Sequence, residues 1–137
     1  MDTSPKEAQG FSRTVVIDDD CDHLAFLSTL LSREGIGCAS FWCSKAALDY
    51  IQKHPVSVVV TDVFMPQVDG VQLIAAIKNC RPKAAVVAMS GYQESYLRCM
   101  RALGATAGLS KPVDPATLVD VVKRCLEPTF TGTLCQA

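Results

Sequence analysis

Residues 14–20 read Thr14-Val15-Val16-Ile17-Asp18-Asp19-Asp20, a short apolar run followed by three consecutive carboxylates. A run this short and this rich in Val is typical of a strand that is buried on both faces of a parallel sheet. Four similar runs follow along the chain. The five predicted strands are residues 14–17, 37–42, 56–60, 84–89 and 105–110.

Segments with helical periodicity separate these strands. The first ends at Gly35, the second has Ser44 as its expected N-cap, the third starts at the turn Asp69-Gly70, and the fourth lies around residues 92–103. The last opens with Asp114-Pro115, a cap followed by proline at the first helical position. Alternating strands and helices predict an α/β fold, with a parallel five-stranded sheet and helices on both of its faces.

Length and composition indicate one globular domain. The chain has 137 residues, of which 49% are hydrophobic and 20% are charged. We expect the domain over residues 13–127, with an N-terminal tail at 1–12 and a C-terminal tail at 128–137. The net charge of −1 argues against a strongly basic surface for nucleic acid or for an anionic membrane.

Cysteine usage and the N-terminal sequence bear on location. The seven cysteines are an odd number without a Cys-x-x-Cys pair, so we expect neither a disulfide framework nor a zinc site. No apolar run approaches the roughly 20 residues of a membrane span, and residues 1–7 do not read as a secretory signal. The sequence therefore predicts a reduced, cytoplasmic protein.

Polar side chains follow four of the predicted strands. Asp18, Asp19 and Asp20 come after the first strand, Asp62 after the third, Ser90 after the fourth and Lys111 after the fifth. The carboxyl ends of parallel strands meet at one edge of a sheet, where ligands bind in open α/β folds. Clustered carboxylates repel one another unless a cation joins them, and Mg²⁺ (or Mn²⁺) prefers such oxygen ligands. One carboxylate could then attack phosphorus and form an aspartyl phosphate.

Each of these residues also has a structural interpretation when it is taken singly. The acidic run at 18–20 suits a helix cap, Asp62 an Asx-turn, and Ser90-Gly91 a cap and turn. Their coincidence at four strand ends favours a functional site.

The motifs resemble those of the receiver domains of response regulators in two-component signalling. The similarity covers residues 13–127 and is carried by Val16-Ile17-Asp18-Asp19-Asp20, Asp62-Val63-Phe64-Met65-Pro66-Gln67-Val68-Asp69-Gly70, Ala88-Met89-Ser90-Gly91, Leu103-Gly104-Ala105 and Ser110-Lys111-Pro112. It implies a flavodoxin-like (βα)₅ fold, doubly wound, with strand order 2-1-3-4-5. It also implies a signalling switch, not a turnover enzyme, that takes a phosphoryl group from a sensor histidine kinase or a histidine phosphotransfer protein.

The resemblance assigns roles to individual residues. Asp62 matches the phosphoacceptor, and Asp18 and Asp19 match the acidic pair that holds Mg²⁺ together with Asp62 and the backbone carbonyl of Phe64. Ser90 matches the switch hydroxyl and Lys111 the lysine that pairs with the phosphate. The flanking positions implied by the motifs are Phe64, Met65, Pro66, Gly91, Tyr92 and Pro112.

One position departs from the family pattern. Three residues before the lysine the family usually has an aromatic side chain that reports phosphorylation, and this chain has Gly108. The sequence leaves the output partner open, and it fits both a stand-alone receiver and one excised from a longer regulator or hybrid kinase.

Two alternatives to a phosphorylated receiver remain. A phosphohydrolase of the haloacid-dehalogenase type also uses an Asp nucleophile after a strand, and the run at 18–20 supplies its Asp-x-Asp. Asp22 stands where that family has a threonine, however. A pseudo-receiver that binds partners without phosphorylation is disfavoured by the complete set of acidic residues.

Overall fold

The structure, a computed structural model, describes residues 12–65, 68–91, 98 and 100–127. Residues 98 and 100–102 are helical and belong to the predicted fourth helix. Residue 103, the predicted end of that helix, is described as a turn, whereas residues 92–97 and 99, Pro66 and nearly all of the two predicted tails lie outside the described residues.

Five parallel strands form the sheet: β1 (Thr14–Ile17), β2 (Cys38–Phe41), β3 (Val58–Asp62), β6 (Ala85–Ser90) and β7 (Ala107–Ser110). Their order is β2-β1-β3-β6-β7, which is 2-1-3-4-5 when the strands of this sheet alone are counted. The predicted doubly wound fold is confirmed.

Helices pack on both faces of this sheet. They are α1 (Cys21–Arg33), α2 (Ser44–Lys53), α3 (Gly70–Cys80) and the C-terminal helix (Pro115–Leu126). Successive residues of a strand point to opposite faces, so the sheet supports two cores. Val59 packs with Ile51 and Ile74 of α2 and α3, whereas its neighbour Val60 packs with Leu27 and Leu118 of α1 and the C-terminal helix.

Acidic side chains cap three of the helices. The carboxylate of Asp20 accepts the backbone N–H groups of Asp22 and His23, that of Asp69 accepts the N–H of Val71, and that of Asp114 accepts the N–H of Thr117. Each such cap contributes roughly 1 kcal/mol. The prediction of Ser44 as an N-cap is wrong: Ser44 is the first helical residue of α2, and Cys43 precedes it as the cap.

Several strand boundaries differ from the predicted ones. Strand β3 continues to Asp62 and β6 to Ser90, so both polar residues are paired strand ends rather than loop residues. The fifth strand is shorter than predicted and starts at Ala107.

A short antiparallel hairpin was not predicted from the sequence. It joins β4 (Phe64–Met65) to β5 (Val68–Asp69), with Phe64 opposite Asp69. Strands of two residues are too short to show a period of two, so no pattern could indicate them. The hairpin links the end of β3 to the start of α3.

Within the described ranges, every helix is too short or too polar to cross a membrane.

Candidate functional site

The candidate site lies at the carboxyl edge of the sheet, where four chain segments converge. Asp18 follows β1, Asp62 ends β3, Ser90 ends β6 and Lys111 follows β7. Strand β3 lies between β1 and β6, and β7 lies beside β6. The topology therefore brings together residues that are up to 93 positions apart in the chain, as the numbers 18 and 111 show.

Three carboxylates meet at this edge. One oxygen from each of Asp18, Asp19 and Asp62 lies within 4.8 Å of the other two. Asp18 is fully buried and Asp62 is 6% exposed, whereas Asp19 reaches solvent. Negative charges this close repel one another and are poorly hydrated when buried, so the set favours a cation. An all-oxygen set with an open side fits Mg²⁺ or Mn²⁺.

The Asp62 carboxylate is held by one hydrogen bond on each oxygen. Oδ1 accepts the backbone N–H of Phe64 at 3.0 Å, which is an Asx-type turn closed at the strand end. Oδ2 accepts from Lys111 Nζ at 2.9 Å. The two interpretations of Asp62, as a turn residue and as a site residue, are therefore compatible. The turn fixes the orientation of the carboxylate beside the ammonium group of Lys111.

Lys111 places a positive charge beside the carboxylates of Asp18 and Asp62. Its Nζ also lies 3.6 Å from Asp18 Oδ2. Burial alone would lower the pKa of Lys111, but the hydrogen bond and negative charge of Asp62, with a further contribution from Asp18, raise this pKa above its ordinary value. Lys111 is therefore a cation at neutral pH, facing two carboxylates.

Ser90 and Lys111 are joined through the backbone. Ser90 is fully buried, one residue past Met89, which pairs with Asp62. The carbonyl of Ser90 accepts the N–H of Lys111 at 2.8 Å. The peptide bond from Lys111 to Pro112 is cis. The hydrogen bond between Lys111 and Ser90 joins the start of the loop after β7 to the end of β6.

The flanking residues of the motif are divided between core and surface. The side chain of Met65 is buried, whereas that of Phe64 is 54% exposed. Gly91 is exposed beside Lys111. Gly108 lies in β7 opposite Ala88 of β6. Pro66 and Tyr92 are outside the part of the chain that the structure describes.

Sequence reasoning missed one residue of the site, His23. Its Nδ1 lies 2.5 Å from Asp18 Oδ2. The sequence feature that could have indicated it is a histidine in the first turn of the helix that follows β1 and the acidic run 18–20.

The surroundings of Asp18 count against the phosphohydrolase alternative. That reaction would use the first carboxylate of the acidic run as its nucleophile. Asp18 is fully buried, and its two oxygens contact the backbone N–H of Asp20 and the imidazole of His23. Such a carboxylate is positioned to support a neighbour and is poorly placed to attack a substrate.

Comparison with known proteins gives relatives among response regulators. The chain is 29% identical over 120 residues to the response regulator GtcR of Aneurinibacillus migulanus; the match covers 87% of this chain and 50% of GtcR, so the chain spans about half the length of that relative. Among solved structures, the BeF3-activated receiver domain of DrrB from Thermotoga maritima is 28% identical with a TM-score of 0.73, covering 82% of this chain and 95% of that one. The beryllofluoride-activated NtrC4 receiver domain is 27% identical with a TM-score of 0.76, covering 82% and 93%.

The family model described as the response regulator receiver domain matches residues 14–123. This range includes β1, β7 and every residue of the acidic edge described above. The chain therefore belongs to the family of response regulator receiver domains.

Proposed function

We propose that this chain is a phosphorylated signalling switch in which Asp62 accepts a phosphoryl group in a reaction that depends on Mg²⁺. The observation that carries the proposal is the environment of Asp62. Its carboxylate ends a central strand, lies 2.9 Å from a lysine cation and has an oxygen within 4.8 Å of oxygens from two further carboxylates. The two beryllofluoride-activated relatives support it, since beryllofluoride stands in for a phosphoryl group on a carboxylate.

The chemistry is the transfer of one phosphoryl group between two nucleophiles. An oxygen of Asp62 forms a bond to phosphorus while the bond from phosphorus to the donor's imidazole nitrogen breaks, and the imidazole leaves with that electron pair. Lys111 Nζ would donate to a phosphoryl oxygen, and the Ser90 hydroxyl would donate to another. The N–H of Phe64 holds the Asp62 carboxylate in place during the attack.

The carboxylates of Asp18, Asp19 and Asp62 would hold the metal ion, with the backbone carbonyl of Phe64 as a further ligand. Bound there, Mg²⁺ or Mn²⁺ neutralises the charge that builds up on the transferring group. The protein residues provide fixed orientation: the turn at Phe64 holds Asp62, and the amide of Asp20 holds Asp18 at 3.0 Å.

The phosphodonor would be a sensor histidine kinase or a histidine phosphotransfer protein. Each chain would accept one phosphoryl group on Asp62, and hydrolysis of the aspartyl phosphate would restore the free carboxylate. The chain would therefore not act as a turnover enzyme on a separate substrate. We expect no direct contact with nucleic acid, because the net charge is −1. A reducing compartment such as the cytoplasm suits the free thiols found among the described cysteines.

A phosphorylation assay with a matched pair of variants tests the proposal. The chain is incubated with Mg²⁺ and acetyl phosphate, and the adduct is measured by intact mass. We expect one phosphoryl group on the parent chain and none on Asp62→Asn. Asp69→Asn is the control, because it removes a nearby carboxylate while asparagine remains a good N-cap for α3. It should be phosphorylated like the parent.

Two outcomes would contradict the proposal. A full adduct on Asp62→Asn would place the phosphoryl group elsewhere. Phosphorylation of the parent that is unchanged when Mg²⁺ is removed with a chelator would exclude the metal-dependent reaction.

A further inference from the structure

Among the described residues, His23 makes the shortest side-chain contact that is recorded for the buried carboxylate of Asp18. Imidazole Nδ1 and carboxylate Oδ2 are 2.5 Å apart. Asp18 is completely buried, and the His23 side chain is 21% exposed. A contact this short between a buried carboxylate and a ring nitrogen is a charge-assisted hydrogen bond.

The chemistry of the acceptor fixes the direction of this hydrogen bond. An ionised carboxylate offers only lone pairs, so the proton lies on Nδ1 of His23 and points at Asp18. Lys111 Nζ is 3.6 Å from the same oxygen. Asp18 Oδ2, which accepts the hydrogen bond from His23, therefore faces Lys111 and the acidic cluster.

His23 is itself held in place from two directions. Its backbone N–H donates to Asp20 Oδ1 at 3.2 Å in the N-cap of α1. Its ring stacks on Phe26, with centroids 6.1 Å apart and planes inclined by 19°. A ring that is fixed in this way can impose an orientation on the carboxylate it contacts.

Together with the backbone, His23 restrains both oxygens of Asp18. The amide of Asp20 donates to Oδ1 at 3.0 Å, and His23 donates to Oδ2. Each carboxylate oxygen has two lone-pair sites, so a second site on Oδ1 is available for a cation, whereas Oδ2 faces Lys111 Nζ as well as His23. The two hydrogen bonds thus set the plane of the carboxylate before any ion arrives.

We propose that His23 is a positioning residue for the metal site: its Nδ1–H orients Asp18 and thereby strengthens the binding of Mg²⁺. The inference rests on the proposed function, which places the ion among Asp18, Asp19 and Asp62. Removal of a group that orients a metal ligand typically weakens metal affinity by about 10–100-fold, and we expect a loss of about tenfold or more here.

The test is an Mg²⁺ titration of the intact chain, followed by amide chemical shifts in NMR. The variants are His23→Ala, His23→Asn and His23→Gln. The side-chain amide nitrogen of asparagine takes the place of imidazole Nδ1, whereas that of glutamine takes the place of Nε2. The control is His54→Ala, because His54 follows α2 and packs against Tyr50, away from the acidic cluster.

We expect His23→Ala and His23→Gln to lose about tenfold or more in Mg²⁺ affinity, while His23→Asn keeps most of it and His54→Ala keeps all of it. Equal affinity in the parent and His23→Ala would overturn the proposal. So would equal losses in the Ala, Asn and Gln variants, since that result indicates packing and not a hydrogen bond. If the parent chain itself shows no saturable Mg²⁺ binding, the proposed function fails instead.

A second measurement needs no metal and is independent of how the variants fold. Long-range proton–nitrogen NMR of the metal-free parent chain reports which imidazole nitrogen of His23 carries a proton. We expect a protonated Nδ1. An Nδ1 without a proton would overturn the proposal, because the ring could then not donate to Asp18.

Discussion

The motif glycine at position 70 offers a quantitative test of how the fold positions Asp62. Gly70 is the first residue of α3 and follows the N-cap Asp69. A Cβ at this position would lie 2.5 Å from the carbonyl oxygen of Val63 and 2.9 Å from the Cβ of Val63. Carbon atoms pack best at about 3.5–4.0 Å, so Gly70→Ala forces a shift of backbone and not of a flexible side chain.

Two opposing effects determine how much Gly70→Ala changes the free energy of unfolding. Overpacking a well-packed site typically costs about 1–3 kcal/mol, and contacts this short with backbone belong at the upper end. Alanine is favoured over glycine in a helix by up to about 1 kcal/mol, which offsets part of that cost. We expect the free energy of unfolding to fall by about 2 kcal/mol. For a chain of this size the midpoint of thermal unfolding should then fall by roughly 6–10 °C.

The same shift should affect function, because Val63 directly follows Asp62. A displaced Val63 disturbs the turn in which the N–H of Phe64 donates to Asp62 Oδ1. The distance from Asp62 to Lys111 then changes as well. We therefore expect phosphorylation by acetyl phosphate to slow in Gly70→Ala, even at temperatures where the variant remains folded.

Gly91→Ala is the control for this prediction. Gly91 also lies at the site, but the nearest atom to an added Cβ is Lys111 Cβ, at an ordinary 3.9 Å. Its stability should stay within about 0.5 kcal/mol of the parent. Urea unfolding gives the two stabilities, and intact mass against time gives the two phosphorylation rates. If Gly70→Ala were as stable and as reactive as Gly91→Ala, the argument from close packing at Val63 would be refuted.

Two further predictions concern the metal and the lifetime of the phosphorylated state. Asp19→Asn should weaken Mg²⁺ binding and raise the thermal stability of the metal-free chain, because the remaining carboxylates repel one another less; unchanged affinity in an NMR titration would exclude Asp19 as a ligand. We expect the phosphorylated parent to hydrolyse slowly, because the resemblance to receiver domains implies that Phe64 and Tyr92 flank the path of an attacking water, and neither is a carboxylate or amide suited to orienting that water. Phe64→Asn combined with Tyr92→Glu should shorten the lifetime, measured as loss of the adduct mass after the donor is removed; a double variant as long-lived as the parent would show that these side chains do not control access of water.

The sequence predicted the sheet well because both faces of the central strands are buried. Such strands appear as continuous runs of Val, as in β3, and these runs are easily told apart from amphipathic helices. Their ends were less predictable. Strand pairing continues into Asp62 and Ser90, and polar residues carry no apolar signal by which the extension could be recognised.

The members of the candidate site were predictable to the extent that they follow strands. Asp18, Asp62 and Lys111 lie together because parallel strands end at one edge. His23 belongs to a helix, and whether its ring turns back towards Asp18 depends on the helix axis and on its stacking with Phe26. The spacing of residues along the sequence determines neither the direction of the helix axis nor the stacking on Phe26. His23 could therefore be assigned to the site only from the structure.

The precision of the site comes from the apolar strands beneath it. Val60 pairs with Val16 on one side and with Val87 on the other, and two residues further along β3 the same ladder places Asp62 opposite Met89. A slip of one residue in this register would turn every buried Val of the strand to the opposite core and move Asp62 away from Lys111. The two cores have different partners, α2 and α3 on one face and α1 and the C-terminal helix on the other, so such a slip would cost packing on both faces at once. The residues that keep Asp62 in register are therefore largely apolar residues that take no part in the proposed reaction.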